Sequence, residues 1–139
     1  MEGMQPRWKD LLKHYEQALG RLSKIVDLKR ERQLNEFEED SVIKRFEFTY
    51  EMAWKLMMSY EKSNGVLQLM GSKDVVRNAI SMSLIENGEA WMDMIDARNR
   101  TSHLYDEGMA KDVIDAIVND YYPLLQDLLR KMETLSCTD

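Results

Sequence analysis

The chain has 139 residues, 44% of them apolar and 32% charged, enough to bury roughly 70% of its unfolded surface, with no Pro-, Gly- or Ser-rich linker to divide it. Its one cysteine, Cys137, excludes an intramolecular disulfide, and no apolar run approaches the ~20 residues that span a bilayer. A formal charge of -6 excludes coating of nucleic acid by bulk attraction, so any contact with phosphates is expected to be local.

Trp8, Leu11, Leu12, Tyr15, Leu19, Leu22 and Val26 recur at spacings of three and four, which predicts a first helix over 6–28 with one buried stripe. The next stretch, "KRERQLNEFEED", mixes charges without period and reads as a solvated connection, with Asn35 or Asp40 available as an N-cap. From about residue 38, Ile43, Phe46, Tyr50, Ala53, Met57 and Tyr60 predict a second helix of about 26 residues that stops at Asn64-Gly65. Ser72 reads as the cap of a third helix over 73–84, with Asp74 in its first turn suiting the dipole, and Asn87-Gly88 breaks the chain.

Trp91, Met94, Ile95 and Arg98 mark a short fourth helix, and Val113, Ile114, Ile117, Tyr121, Leu124, Leu125, Leu128 and Met132 a long last one, which Pro123 would kink or divide. Strand signals are almost absent. The expected fold is therefore all-α, an antiparallel bundle of four long elements or five helices, in one domain over 1–139. The eleven methionines read mainly as core filler, and most aromatics of "FEFTYEMAWKLM" as packing.

The N-terminal "MEGMQPRWKDLL" has neither the basic start nor the apolar run of a signal peptide, which with the lone cysteine points to the cytoplasm. His14 and His103 lie on separate elements with no Cys/His pair at ligand spacing, so no metal site is expected. The six glycines are scattered, which excludes a phosphate loop, and there is no nucleophile elbow; no cofactor is expected. His14, between Lys13 and Tyr15, reads as a surface residue.

"RNRTSHLYDE" (98–107) gathers two arginines, a histidine, a tyrosine and two acids. On a continuous helix Arg98 and His103 would stand about 140° apart, so they can converge only if the helix ends or distorts between them. Thr101-Ser102 and the nearby Gly108 make such an ending plausible. A guanidinium grips a phosphodiester and an imidazole moves protons near neutral pH, the parts of metal-independent RNA cleavage, for which two copies of a subunit could supply a base and an acid. The competing reading is a polar helix end whose cations complement the dipole, and spacing alone favours it. Glu47 and Glu51, one turn apart on the second helix, could orient Arg98, belong to the cleft or simply be solvated, with solvation slightly favoured.

"RNRTSH" resembles the R-x4-6-H motif of the HEPN superfamily, and Tyr105 extends it to the R-x4-H-x-Y form of the HEPN toxins. "IKRFEFTYEMAWKLM" (43–57), "SKDVVRNAI" (72–80), "GEAWMDMIDARNRTSHLYDEGMA" (88–110) and the last helix are similar to the nucleotidyltransferase substrate-binding proteins along nearly the whole chain. The resemblance implies an up-and-down HEPN-like bundle and a homodimer. It also implies a separate minimal nucleotidyltransferase as partner, in a heterotetramer or larger complex. It implies Arg98 and His103 as catalytic residues of a metal-independent ribonuclease toxin acting on RNA, Asn99 as a positioning residue, and Tyr105 as the acceptor of AMP that silences it. Arg100, in place of the apolar residue common there, adds charge suited to RNA or an AMP phosphate, and Gly71-Ser72-Lys73 stands where Ser-Pro-Arg is common. The alternative implied by the same family is a non-catalytic subunit that binds substrate for the transferase.

Overall fold

The computed structural model describes residues 6–104 and 106–138, and these form helices and turns with no strand among them. Helix α1 (Arg7–Glu31) and α2 (Glu36–Ser63) are the two long antiparallel elements. Then come α3 (Ser72–Ser81), α4 (Gly88–Arg100) with a 3-10 turn over Thr101–His103, α5 (Glu107–Ala116), a π turn over Ile117–Tyr121, and α6 (Tyr122–Cys137). The bundle architecture matches the expectation; several boundaries move, each for a local reason.

The connection between α1 and α2 is far shorter than "KRERQLNEFEED" suggests. Lys29, Arg30 and Glu31 continue α1, with the two cations in the last turn where they suit the dipole. Asn35 is the cap of α2: its side chain accepts from the Glu38 N–H while the Glu38 carboxylate accepts from the Asn35 N–H, both at 2.9 Å. Arg32 donates twice to the same carboxylate, at 2.9 and 2.6 Å. That guanidinium, helped by the Asn35 N–H, holds the Glu38 carboxyl down to about 2. Leu34 is buried between these polar groups and pins the reversal to the core.

Ser72 does not cap α3. The chain enters from Gly71 at φ 94°, a left-handed value that favours glycine, and Ser72 is already helical. The Asp74 carboxylate instead accepts from the Met70 N–H at 2.9 Å, tying the 64–71 connection to the helix start. At the far end, Pro123 does not interrupt the helical backbone, which passes from α5 through the π turn into α6. A proline lacks the N–H that would bond back to residue 119, and the preceding π turn opens the ladder at that place, so the rod continues into α6.

The two long helices register through Thr49, whose hydroxyl reaches the Ala18 carbonyl at 3.2 Å, and through Arg45, which donates to the Arg21 carbonyl at 2.7 Å. Trp8 at the start of α1 meets Tyr60 near the end of α2 edge-on, at 5.2 Å between centroids. The last helix closes the bundle: Tyr15 on α1 donates its buried hydroxyl to the Leu125 carbonyl at 2.6 Å, and Tyr122 donates to Ser23 at 2.8 Å. Phe46 stacks on Tyr121 at 5.8 Å, bringing the centre of α2 against the π turn.

Met57, Met94 and Met132 are core filler as expected, but Met52, Met58, Met82 and Met92 are only half-buried, and Met70 and Met109 are exposed. In "FEFTYEMAWKLM" Phe46 and Tyr50 are buried and Trp54 is half-buried, whereas Phe48 stays out of the core and is 55% exposed.

Candidate functional site

The site is built where α4 gives out against the middle of α2. Trp91, Met94, Ile95 and Ala97 anchor the buried stripe of α4, which fixes the rotation of the helix and brings Arg98 to its margin facing α2. There the Arg98 Nη1 lies 3.3 Å from the Glu47 Oε2, a half-buried ion pair between residues 51 positions apart. Glu51, one turn on, pairs instead with Lys55 at 3.8 Å along the surface of α2. Glu47 therefore orients Arg98, against the slight preference for solvation from sequence, while Glu51 is the solvated residue.

Thr101 completes the clamp, and the sequence offered it only as a residue that competes for backbone bonds. Its hydroxyl lies 2.7 Å from the Glu47 carboxylate, 2.6 Å from the Arg98 carbonyl and 3.4 Å from the Arg98 Nη1. One hydroxyl proton serves either the carboxylate or the carbonyl, while the lone pairs receive the guanidinium. The bond to the Arg98 carbonyl satisfies one of the carbonyls left open at the end of α4 and is compatible with the tightening into a 3-10 turn.

Tyr50, read from sequence as packing, also belongs here. It is 2% exposed, and its hydroxyl has no hydrogen-bond partner among the described residues, as is true of the Arg98 Nε. Burial pushes the phenol up, with Ser72 at the start of α3 and the Arg98 guanidinium pulling the other way, so it stays protonated. A neutral O–H and a guanidinium N–H thus sit buried in one cluster with no hydrogen-bond partner among the described residues.

The ending of α4 that the Arg98/His103 pair requires is present, but tightening alone does not bring the two onto one face. Two α steps followed by three 3-10 steps carry His103 about 160° around the axis from Arg98. Arg98 turns inward to Glu47, and His103 is on the exposed side of the 3-10 turn. Asn99 is exposed, and its carbonyl accepts from the Ser102 hydroxyl at 3.3 Å. Arg100, on the other side of α4 from Arg98, neighbours the Tyr121 hydroxyl, whose shift above the ordinary phenol value comes from burial and is moderated by that guanidinium. Tyr105 lies outside the described residues. No group of three or more His, Cys, Asp or Glu among the described residues is placed to hold a metal ion, and no described helix is long and apolar enough to cross a membrane.

A direct test of the clamp is Glu47→Gln, which keeps the shape and removes the charge. A loss of about 1 kcal/mol in urea unfolding is expected, between the value of an exposed pair and that of a buried one. A stability equal to that of the parent protein would show that the ion pair contributes nothing to the fold.

Known proteins share both the sequence pattern and this arrangement of helices. A Haemophilus influenzae protein named "Probable ribonuclease HepT" is 34% identical over 83 residues, 57% of this chain, and the match spans 56% of that relative's length. Two solved structures share the fold. One, a crystal structure from Thermus thermophilus, superposes with a TM-score of 0.76 at 28% identity, covering 85% of this chain and 98% of its own. The other, from Haemophilus influenzae and described as revealing the fold of a substrate binding domain of a nucleotidyltransferase, gives 0.74 at 27% identity, covering 88% and 98%. Residues 10–134, nearly the whole helical bundle, match the family described as nucleotidyltransferase substrate binding protein like, and the chain belongs to that family.

Proposed function

We propose that this protein is a single-domain HEPN subunit that partners a minimal nucleotidyltransferase and cleaves RNA without a metal ion. The observation that carries the reading is the anchored Arg98: an ion pair to Glu47 and a contact with Thr101 fix the guanidinium at the end of α4, five residues before the exposed imidazole of His103. The relative named as a ribonuclease supports it by resemblance.

In the proposed reaction the His103 imidazole takes the proton of a 2'-hydroxyl, and the oxygen attacks the adjacent phosphorus. Arg98 stabilises the added negative charge of the phosphorane by charge-assisted hydrogen bonds. The P–O5' bond then breaks, leaving a 2',3'-cyclic phosphate, and the departing oxygen takes a proton from a second imidazole. Because His103 stands across the axis from its own Arg98, a homodimer that sets the imidazole of one copy beside the guanidinium of the other supplies both groups. Incubation of purified protein with RNA in excess chelator tests the reading: cleavage to cyclic-phosphate ends is expected, and intact RNA would overturn it.

Silencing by the transferase belongs to the same proposal. The Tyr105 oxygen attacks the α-phosphorus of ATP, pyrophosphate leaves and the phenolic proton goes to solvent. The adduct puts a nucleotide and a negative charge two residues from His103, where RNA phosphate must sit. Co-incubation with the cognate transferase, ATP and Mg2+ should add about 329 Da per site, the mass of AMP less water, and abolish cleavage. An unchanged mass, or the same addition to Tyr105→Phe, would sink this part.

The family description and the related Haemophilus structure favour a second reading, a non-catalytic subunit presenting substrate to the transferase. A stable complex with the transferase from a protein that leaves RNA intact would select it.

A further inference from the structure

The structure places a second cationic feature on the face of α2 that adjoins the clamp. Where α1 and α2 cross, a groove of about 290 Å³ runs from His14 to Arg21 on α1 and from Lys44 to Met52 on α2. The seven helical steps from His14 to Arg21 make it about 10 Å long. Arg21, Lys44 and Arg45 line it together with the His14 imidazole, and no Asp or Glu is among the described lining residues. In a chain of net charge -6 this is a local reversal of sign. The Arg45 Nη1 donates to the Arg21 carbonyl at 2.7 Å, which fixes the guanidinium across the groove and uses one of its five N–H donors.

The wall is aromatic. Phe48, 55% exposed, is the residue of "FEFTYEMAWKLM" that does not pack into the core, and the half-buried Met52 follows it one turn later. An exposed ring beside one fixed guanidinium and two further cations matches what a single-stranded nucleic acid presents, a π-face for stacking next to phosphates. Phe48 follows Glu47 directly. The two side chains leave the same turn of α2 about 100° apart, so the groove and the Arg98 clamp occupy adjoining faces of one helix.

We infer that this groove is an RNA-binding subsite: it holds one or two nucleotides flanking the cleaved bond, stacking a base on Phe48 and pairing phosphates with Arg21 and Lys44. The inference rests on the proposed ribonuclease reading for the identity of the ligand. It assigns these residues to binding and not to chemistry, so substrate would be gripped on two faces of α2 at once.

The test uses the full chain carrying His103→Ala, to prevent turnover, and a fluorescein-labelled single-stranded 12-mer RNA read by anisotropy. Phe48→Ala should weaken binding about tenfold through the missing stacking. Arg21→Glu with Lys44→Glu should weaken it at least tenfold and reduce the slope of log affinity against log salt by about 1.4, some 0.7 for each phosphate that is no longer neutralised. The control Arg130→Glu with Lys131→Glu, on α6, alters net charge equally and should leave the salt slope unchanged. Sedimentation on the same samples should show one assembly state for all.

Parent-like binding by the groove variants, while the protein with His103 intact cleaves RNA, would overturn the subsite and leave the nuclease reading standing. Groove-dependent binding without any cleavage would do the reverse. Equal weakening by the α6 control, loss of binding that tracks dissociation of the assembly, or full competition by free AMP with no gain for the 12-mer would each overturn the subsite.

Discussion

His103→Ala should reduce RNA cleavage by 10²- to 10⁴-fold, the range expected when a positioned general acid or base is removed, with no change in helical content. His103 is on the exposed side of the 3-10 turn, so its truncation leaves the core untouched. Arg98→Ala should be comparably severe in activity but must also cost stability. It strips Glu47 of its cation and leaves the Thr101 hydroxyl with one fewer partner. The pair of variants thus separates chemistry from scaffolding: urea unfolding should read lower for the second than for the first. Mixing the two inactive proteins provides the sharper check, because in a dimer whose sites draw on both copies every mixed dimer sets one intact imidazole beside the intact guanidinium of the other copy and lacks only the second imidazole. Partial recovery on mixing is expected, with water protonating the leaving oxygen; no gain over the pure variants would count against a site shared between copies. Cleavage persisting in pure His103→Ala would remove the imidazole from the mechanism.

The largest expected effect on stability lies far from that site. Glu61, near the end of α2, is fully buried, and neither carboxylate oxygen has a hydrogen-bond partner among the described residues. Burial raises it from the ordinary value of 4.5 to about 7, with the Asn78 amide close enough to relieve a little of this without a hydrogen bond of good geometry. Between pH 4.5 and 7 the folded chain holds a proton that the unfolded chain has released, so stability falls as pH rises through that window and stays reduced above it. Glu61→Gln removes the ionisation and keeps the shape. It should stabilise the protein by about 2 kcal/mol at pH 8, a figure discounted below the full linkage value of 1.36 kcal/mol for each pKa unit, and by only a few tenths at pH 4.5. Urea midpoints at the two pH values decide the matter: the same difference at both would mean that the carboxyl is not titrating in the fold.

The helices were legible because each long element keeps one apolar face, and Asn35 and Gly65 mark ends with the residue types that such ends require. Boundaries failed where local chemistry lacks a periodic signature. Lys29, Arg30 and Glu31 form a polar last turn, with Arg30 and Glu31 exposed, and such a turn shows no apolar stripe. Ser72 satisfies the usual rule for a cap, yet Gly71 supplies the left-handed entry that no side-chain preference reveals. The π turn is hidden because Ile114, Val118, Tyr121, Leu125 and Leu128 keep stepping by three and four across it.

For the site, Arg98, Arg100 and His103 could be singled out by residue type, and family resemblance gave them, with Asn99, roles that spacing could not. Glu47 was visible only as half of an ambiguous acidic pair. Thr101 and Tyr50 were not legible, since what matters about each is a neighbour about fifty positions away on another helix. Phe48 stood in plain view within an aromatic run, but only the fold distinguishes the ring that stays out from those that go in.

The bond from Tyr15 to Leu125 joins residues 110 apart, and this bears on when the molecule becomes competent during its synthesis. At about 5–20 residues per second, the first helix waits roughly 6–22 s for the segment that covers it. Over that interval α1 and α2 can pair, but Phe46 has no Tyr121 to stack on and α4 has no π turn behind it. The proposed RNA-cutting centre at the end of α4 would thus gain its backing only after α6 has been made, which would delay activity beside the ribosome and its message until that helix is laid down.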